Sequence, residues 1–120
     1  MERFVLDKLV AWKVSKYRKP LILKGVRQVG KTWLLKEFGS RYYGSVAYFN
    51  FDESPEYRQF FETTKDVSRI LQNLVFASWQ RINPENTLII FDEVQECPAA
   101  LNSLKYFCEN AGEYHVACAG

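Results

Sequence analysis

The sequence predicts an α/β protein, a three-layer sandwich with helices on both faces of a mostly parallel sheet. Three observations lead there. Apolar, strand-like runs alternate with segments of helical periodicity along the chain. One run, Thr87-Leu88-Ile89-Ile90-Phe91, is continuously apolar, which fits a strand buried on both faces of a parallel sheet. A glycine-bounded loop, Gly25-Val26-Arg27-Gln28-Val29-Gly30-Lys31-Thr32, lies between a strand-like and a helix-like segment. Right-handed crossovers would join the parallel strands, and a ligand would sit at their carboxyl ends.

The elements follow in chain order. Val5, Leu6, Leu9, Val10 and Val14 give residues 3–16 the pattern of an amphipathic helix. Lys19-Pro20 ends it and opens a buried first strand at about residues 21–24. After the loop, Trp33-Leu34-Leu35-Lys36-Glu37-Phe38 is helical in spacing, with Gly39 and Ser40 as the expected stop. Val46-Ala47-Tyr48-Phe49-Asn50-Phe51 is rich in strand formers. Asp52 to Pro55 then turn the chain into a short helix ending near Thr63.

Asp66 is an expected N-cap for a helix bearing Val67, Ile70, Leu71, Leu74, Val75 and Ser78 and running to about Ile82. Its stripe reads as core packing. Asn83-Pro84-Glu85-Asn86 turns into the continuous run, which ends in Asp92-Glu93. Pro98 opens a helix with Leu101, Leu104, Tyr106 and Cys108 that ends near residues 110–112. Tyr114 to Ala119 is the last expected strand. There are no internal repeats and no low-complexity segments.

Composition narrows the classes. At 120 residues, 48% of them hydrophobic, the chain is sized for one domain with a real core. A formal net charge of +2 is too small to indicate nucleic acid or a membrane surface. The basic cluster Lys13, Lys16, Arg18 and Lys19 reads as a solvated helix face and turn. No apolar run approaches a membrane span, and the N-terminus is not a secretory signal. Cys97, Cys108 and Cys118 cannot all pair and match no zinc spacing, so reduced thiols in a cytoplasmic protein are expected. The one histidine, His115, sits in an apolar run and is expected to be structural.

The loop carries the chemistry. Its pattern is G-x-x-x-x-G-K-[ST], the Walker A or P-loop pattern. The two glycines let successive backbone N–H groups turn inward toward phosphate oxygens. Gly25, Gln28, Val29, Gly30, Lys31, Thr32 and Trp33 are the candidate nucleotide-binding residues. Lys31 would neutralise the β- and γ-phosphates, and the Thr32 hydroxyl would ligate Mg²⁺. The helix that follows aims its N-terminus at the same phosphates. Asp92-Glu93, after four apolar residues, is a Walker B-type ending. Asp92 would share the Mg²⁺ with Thr32, and Glu93 would polarise a water for attack on the γ-phosphate. Glu93 and Lys31 are therefore the candidate catalytic residues, and ATP with Mg²⁺ the expected ligands. No Asn-Lys-x-Asp segment for reading guanine occurs. The fold expected is thus a P-loop NTPase sandwich.

The loop, the segment Tyr48-Phe49-Asn50-Phe51-Asp52 and the segment Ile90-Phe91-Asp92-Glu93-Val94-Gln95-Glu96-Cys97-Pro98 together resemble a prokaryotic AAA-type ATPase family whose members carry a C-terminal domain of unknown function. Leu104-Lys105-Tyr106-Phe107 and Tyr114-His115-Val116 also fit, so the resemblance spans essentially the whole chain. It implies a sheet whose last strand here inserts between the loop strand and the Walker B strand. It also implies that residues 1–120 are the N-terminal part of a AAA-type domain, ending just before a polar sensor residue. The sensor, the arginine finger, the remaining strand and the C-terminal domain would then lie outside the chain. Partners implied are ATP, the protein's own C-terminal domain or another protein, and further copies in a homo-oligomer.

Some roles stay open at this level. Gln95 reads either as a neighbour of the γ-phosphate or a subunit interface, or as an exposed loop residue. Asn50 and Asp52 either support Glu93 or cap their turn. Three activities compete: an ATP-hydrolysing module, a nucleotide-dependent switch with slow hydrolysis, and a P-loop phosphotransferase. Glu93 favours the first two, because a kinase must exclude activated water.

Overall fold

Hydrogen bonding and burial sort the chain into four strands and five helices among the described residues, in a computed structural model that describes residues 2–16, 18–23 and 30–120. In chain order they are α1 (Glu2–Val14), β1 (Leu21–Leu23), α2 (Lys31–Tyr42), β2 (Ser45–Asn50), α3 (Glu56–Glu62), α4 (Val67–Ser78), β3 (Thr87–Asp92), α5 (Pro98–Asn110) and β4 (His115–Ala119). A 3₁₀ turn, Val94–Glu96, links β3 to α5. The strands are all parallel in the order β1-β4-β3-β2. The last strand therefore lies between the loop strand and β3, as the resemblance implies.

Period-two alternation divides the strand side chains between two cores. Ala47, Phe49, Ile89, Phe91, Val116 and Cys118 face one side and pack with residues of α3, α4 and α5 such as Phe61, Ile70, Leu74 and Phe107. Leu88, Ile90, Ala117 and Ala119 face the other, against Leu9 of α1 and Leu35 and Phe38 of α2. Every residue of β3 is buried, as its unbroken apolarity predicts. Phe91 is the hub of the first core. Its ring meets Phe49, Phe51, Phe61 and Phe107 at centroid distances of 6.1, 5.6, 5.4 and 6.0 Å.

Two element boundaries and the burial of one strand differ from the sequence expectation, each for a visible reason. Gly39 does not stop α2, which continues to Tyr42. It is buried, and a Cβ built there would collide with Val46 Cγ2. This glycine lets helix and strand approach closely; it does not break the helix. α4 stops at Ser78, short of Ile82, because Trp79 takes a left-handed φ of 60° and its N–H closes on the Val75 carbonyl. β1 is an edge strand, so Leu21 and Leu23 are half-buried and Ile22 is 36% exposed. The expected N-cap is in place: the Asp66 side chain accepts from Ser68 N–H at 3.0 Å.

All three cysteines are free thiols. His115, at the start of β4, bonds the Tyr43 hydroxyl through Nδ1 and lies edge-on to Trp12. Burial, and then the charges of Arg18 and Lys13, lower its pKa from 6.5 to about 4. Between those values the unfolded chain binds the proton and the folded chain does not, so stability rises with pH through that window. Denaturant unfolding should show the His115 contribution intact above pH 6.5 and lost progressively as pH falls toward 4. The difference between wild type and His115→Gln isolates it from the carboxylates. Equal pH slopes in the two proteins would contradict this account.

Candidate functional site

The carboxyl ends of the strands and the start of α2 meet at one edge of the molecule. α2 begins immediately after Gly30, whose φ of 132° is open to glycine and strained for other residues. Gly30 caps the helix without a side chain, and no acidic residue occupies the first turn. The positive end of the helix dipole therefore lies at Gly30 and Lys31, near the end of β3 that Thr32 touches. Lys31 and Thr32 are its first residues, and Trp33 is 51% exposed beside them. Gly25, Gln28 and Val29 of the candidate set lie outside the described residues, as does Arg27.

Asp92 ends β3 on the side facing α1 and α2, because it keeps the parity of Leu88 and Ile90. It is only 4% exposed. The Thr32 hydroxyl donates to Asp92 Oδ2 at 2.7 Å, across sixty residues of sequence. The Glu93 N–H donates to Asp92 Oδ1 at 2.9 Å. The sheet order makes this contact: β4 spaces β1 from β3, and α2 spans the gap.

Glu93 leaves the strand with a φ of 53°, a left-handed conformation uncommon for a non-glycine residue. Such a conformation costs on the order of 1 kcal/mol and persists only where the surroundings enforce it. It turns the chain into the Val94–Glu96 turn, where Gln95 Nε2 donates to Glu93 Oε2 at 2.7 Å. Gln95 is thus an exposed residue that nonetheless touches the candidate catalytic carboxylate.

Tyr48, which lies outside both motifs, joins this group. Its hydroxyl donates to Asp92 Oδ2 at 2.5 Å. Burial, and then the bond to Asp92, hold its phenol protonated well above the ordinary tyrosine range, so it is a donor here. Asn50 Nδ2 donates to the Tyr48 oxygen at 3.2 Å. Asn50 Oδ1 accepts from the N–H groups of Asp52 and Glu53, at 2.9 and 3.0 Å. Asn50 therefore caps its turn and touches the site through Tyr48. The signal for Tyr48 was its parity: two residues before Asn50, which pairs with Asp92 in register.

The donors around Asp92 are hard oxygens. The described residues contain no cluster of three His, Cys, Asp or Glu able to hold a metal. A hydroxyl and one buried carboxylate suit Mg²⁺, which keeps waters and phosphate oxygens as its other ligands.

An all-parallel sheet with helices on both faces, a Gly-Lys-Thr helix start and a buried carboxylate at the adjoining strand end define a P-loop type of α/β protein. A family model described as an AAA domain matches residues 17–120, and the chain belongs to that family. It is accordingly a nucleotide-binding, ATPase-like module. Comparison with curated proteins and with solved structures gives no match. No helix among the described residues is long and apolar enough to cross a membrane.

Proposed function

We propose that this module binds Mg-ATP and hydrolyses it. The observation that carries the reading is the Thr32–Asp92 bond of 2.7 Å, which joins the helix after the phosphate-loop sequence to the end of β3. Lys31 would contact the β- and γ-phosphates, with the α2 N-terminus and the loop residues Gly25, Gln28, Val29 and Gly30 surrounding them. Trp33 would border the nucleotide. Thr32 and Asp92 would hold Mg²⁺, which neutralises charge on the phosphates when bound. Glu93 would orient a water toward the γ-phosphate and take its proton. Coupling to a C-terminal domain, and assembly into a homo-oligomer, rest on the family resemblance.

A second reading is a nucleotide-dependent switch with little turnover. The Gln95–Glu93 bond supports it, because it engages one oxygen of the carboxylate that would handle the water.

The test is calorimetric titration of Mg-ATP into the wild-type chain and into Lys31→Ala. The variant should lose at least about tenfold in affinity, the scale of removing a charge-assisted contact. Equal affinities would remove Lys31, and with it the loop assignment.

A further inference from the structure

We propose that Tyr48 is a positioning residue for the metal-binding carboxylate of Asp92. This rests on the Mg-ATP reading above and adds a residue that neither motif contains. Asp92 Oδ2 accepts two hydroxyl donors, Thr32 at 2.7 Å and Tyr48 at 2.5 Å, while Oδ1 accepts the Glu93 N–H at 2.9 Å. The three bonds come from three directions: α2, β2 and the chain just past β3. Together they fix the rotation of the carboxyl group about its Cβ–Cγ axis, with Tyr48 as the second donor on the oxygen that Thr32 reaches.

Tyr48 is itself held at both ends. Its backbone N–H donates to Gln80 Oε1 at 2.8 Å and its carbonyl accepts from Gln80 Nε2 at 3.0 Å. The Lys36 ammonium lies 3.9 Å from its ring centroid, a cation–π contact that ties the ring to α2. Asn50 Nδ2 donates to the phenol oxygen, which leaves the phenol proton directed to Asp92. The ring is a strut between β2 and α2, and its hydroxyl reaches the one oxygen that Thr32 also reaches. A residue serving only to fill space would need neither the bond to Asp92 nor the one from Asn50.

The physical consequence concerns metal more than nucleotide. Partners that orient a metal ligand cost roughly 10- to 100-fold in metal affinity when removed. Tyr48→Phe keeps the ring, the Lys36 contact and the Gln80 pairing, and deletes only the hydroxyl. The experiment measures ATP affinity by titration at a series of free Mg²⁺ concentrations, and separately in EDTA, with the melting temperature recorded for each protein.

The expected result is a half-saturating Mg²⁺ concentration raised roughly tenfold in Tyr48→Phe. Its ATP affinity in EDTA should stay within about twofold of wild type, since a merely structural role would not separate the two. An unchanged Mg²⁺ dependence in the variant, with wild type responding normally to Mg²⁺, overturns the role of Tyr48 and leaves the Mg-ATP reading standing. Equal loss of affinity with and without metal, or a variant that does not fold, shows a packing role and overturns it too. Lys36→Met provides a second arm: it removes the cation above the ring and should raise the Mg²⁺ requirement in the same direction. Wild-type chain whose ATP affinity ignores Mg²⁺ overturns the underlying reading, and Tyr48 with it.

Discussion

Glu93→Gln is expected to lower phosphate release from Mg-ATP by about a hundredfold or more, the scale of losing a general base. Nucleotide affinity should change by no more than about twofold, because in the proposed mechanism the side chain would act on the water and not on the phosphates. The substitution is conservative in shape. The amide oxygen of a Gln can still accept from Gln95 Nε2, which now bonds Glu93 Oε2 at 2.7 Å. The left-handed backbone at φ 53° suits the two residues about equally. Phosphate release by the wild type and the variant, each at saturating Mg-ATP, checks the expectation. Turnover that survives the change assigns the water to another residue. Tight Mg-ATP binding by a wild type with background turnover would instead favour the switch reading.

Phe91→Ala should cost about 3–5 kcal/mol of folding free energy, the range for deleting a buried aromatic ring. The side chain is fully buried, and its four aromatic neighbours come from β2, the turn after β2, α3 and α5. These lie on separate elements, so the cavity cannot close without moving strands and helices together. A domain of this size has roughly 5–15 kcal/mol in total, so the loss is a large fraction. Denaturant midpoints measure it. A fall below about 1.5 kcal/mol would mean that the core collapses into the space left behind. Because Asp92 follows Phe91 directly, nucleotide binding should weaken in step with stability.

Local patterns were readable wherever one segment carried its own signal. The unbroken apolar run 87–91 announced a fully buried strand, and Asp66 announced a helix start; both lie as expected. What depended on contacts between segments was not readable. Gly39 looks like a helix stop in one dimension, yet it is the point where Val46 of β2 presses on α2. On α5 the sequence stripe named Leu101, Leu104, Tyr106 and Cys108, but the buried residues are Ala100, Ser103, Leu104 and Phe107. Ala100 and Ser103 register weakly as apolar, yet both are buried.

The candidate site divides along the same line. Lys31, Thr32, Asp92 and Glu93 are visible because their motifs are short and contiguous. That Thr32 and Asp92 touch depends on the strand order and on the register of β3 with its neighbours. Tyr48 depends on the parity of β2 against β3, which only the pairing Asn50 to Asp92 reveals.

Gln80 has a consequence away from the nucleotide. Its amide offers a donor and an acceptor to the backbone of Tyr48, in the way a neighbouring strand would, but with one side chain. β2 is the outer strand of the sheet on that side. Unpaired outer strands are templates on which foreign chains add and aggregates grow. Here the middle of the strand is already occupied, so an incoming segment would have to displace Gln80 before its ladder could pass residue 48. The same side chain that steadies Tyr48 thereby guards the sheet against polymerisation along β2.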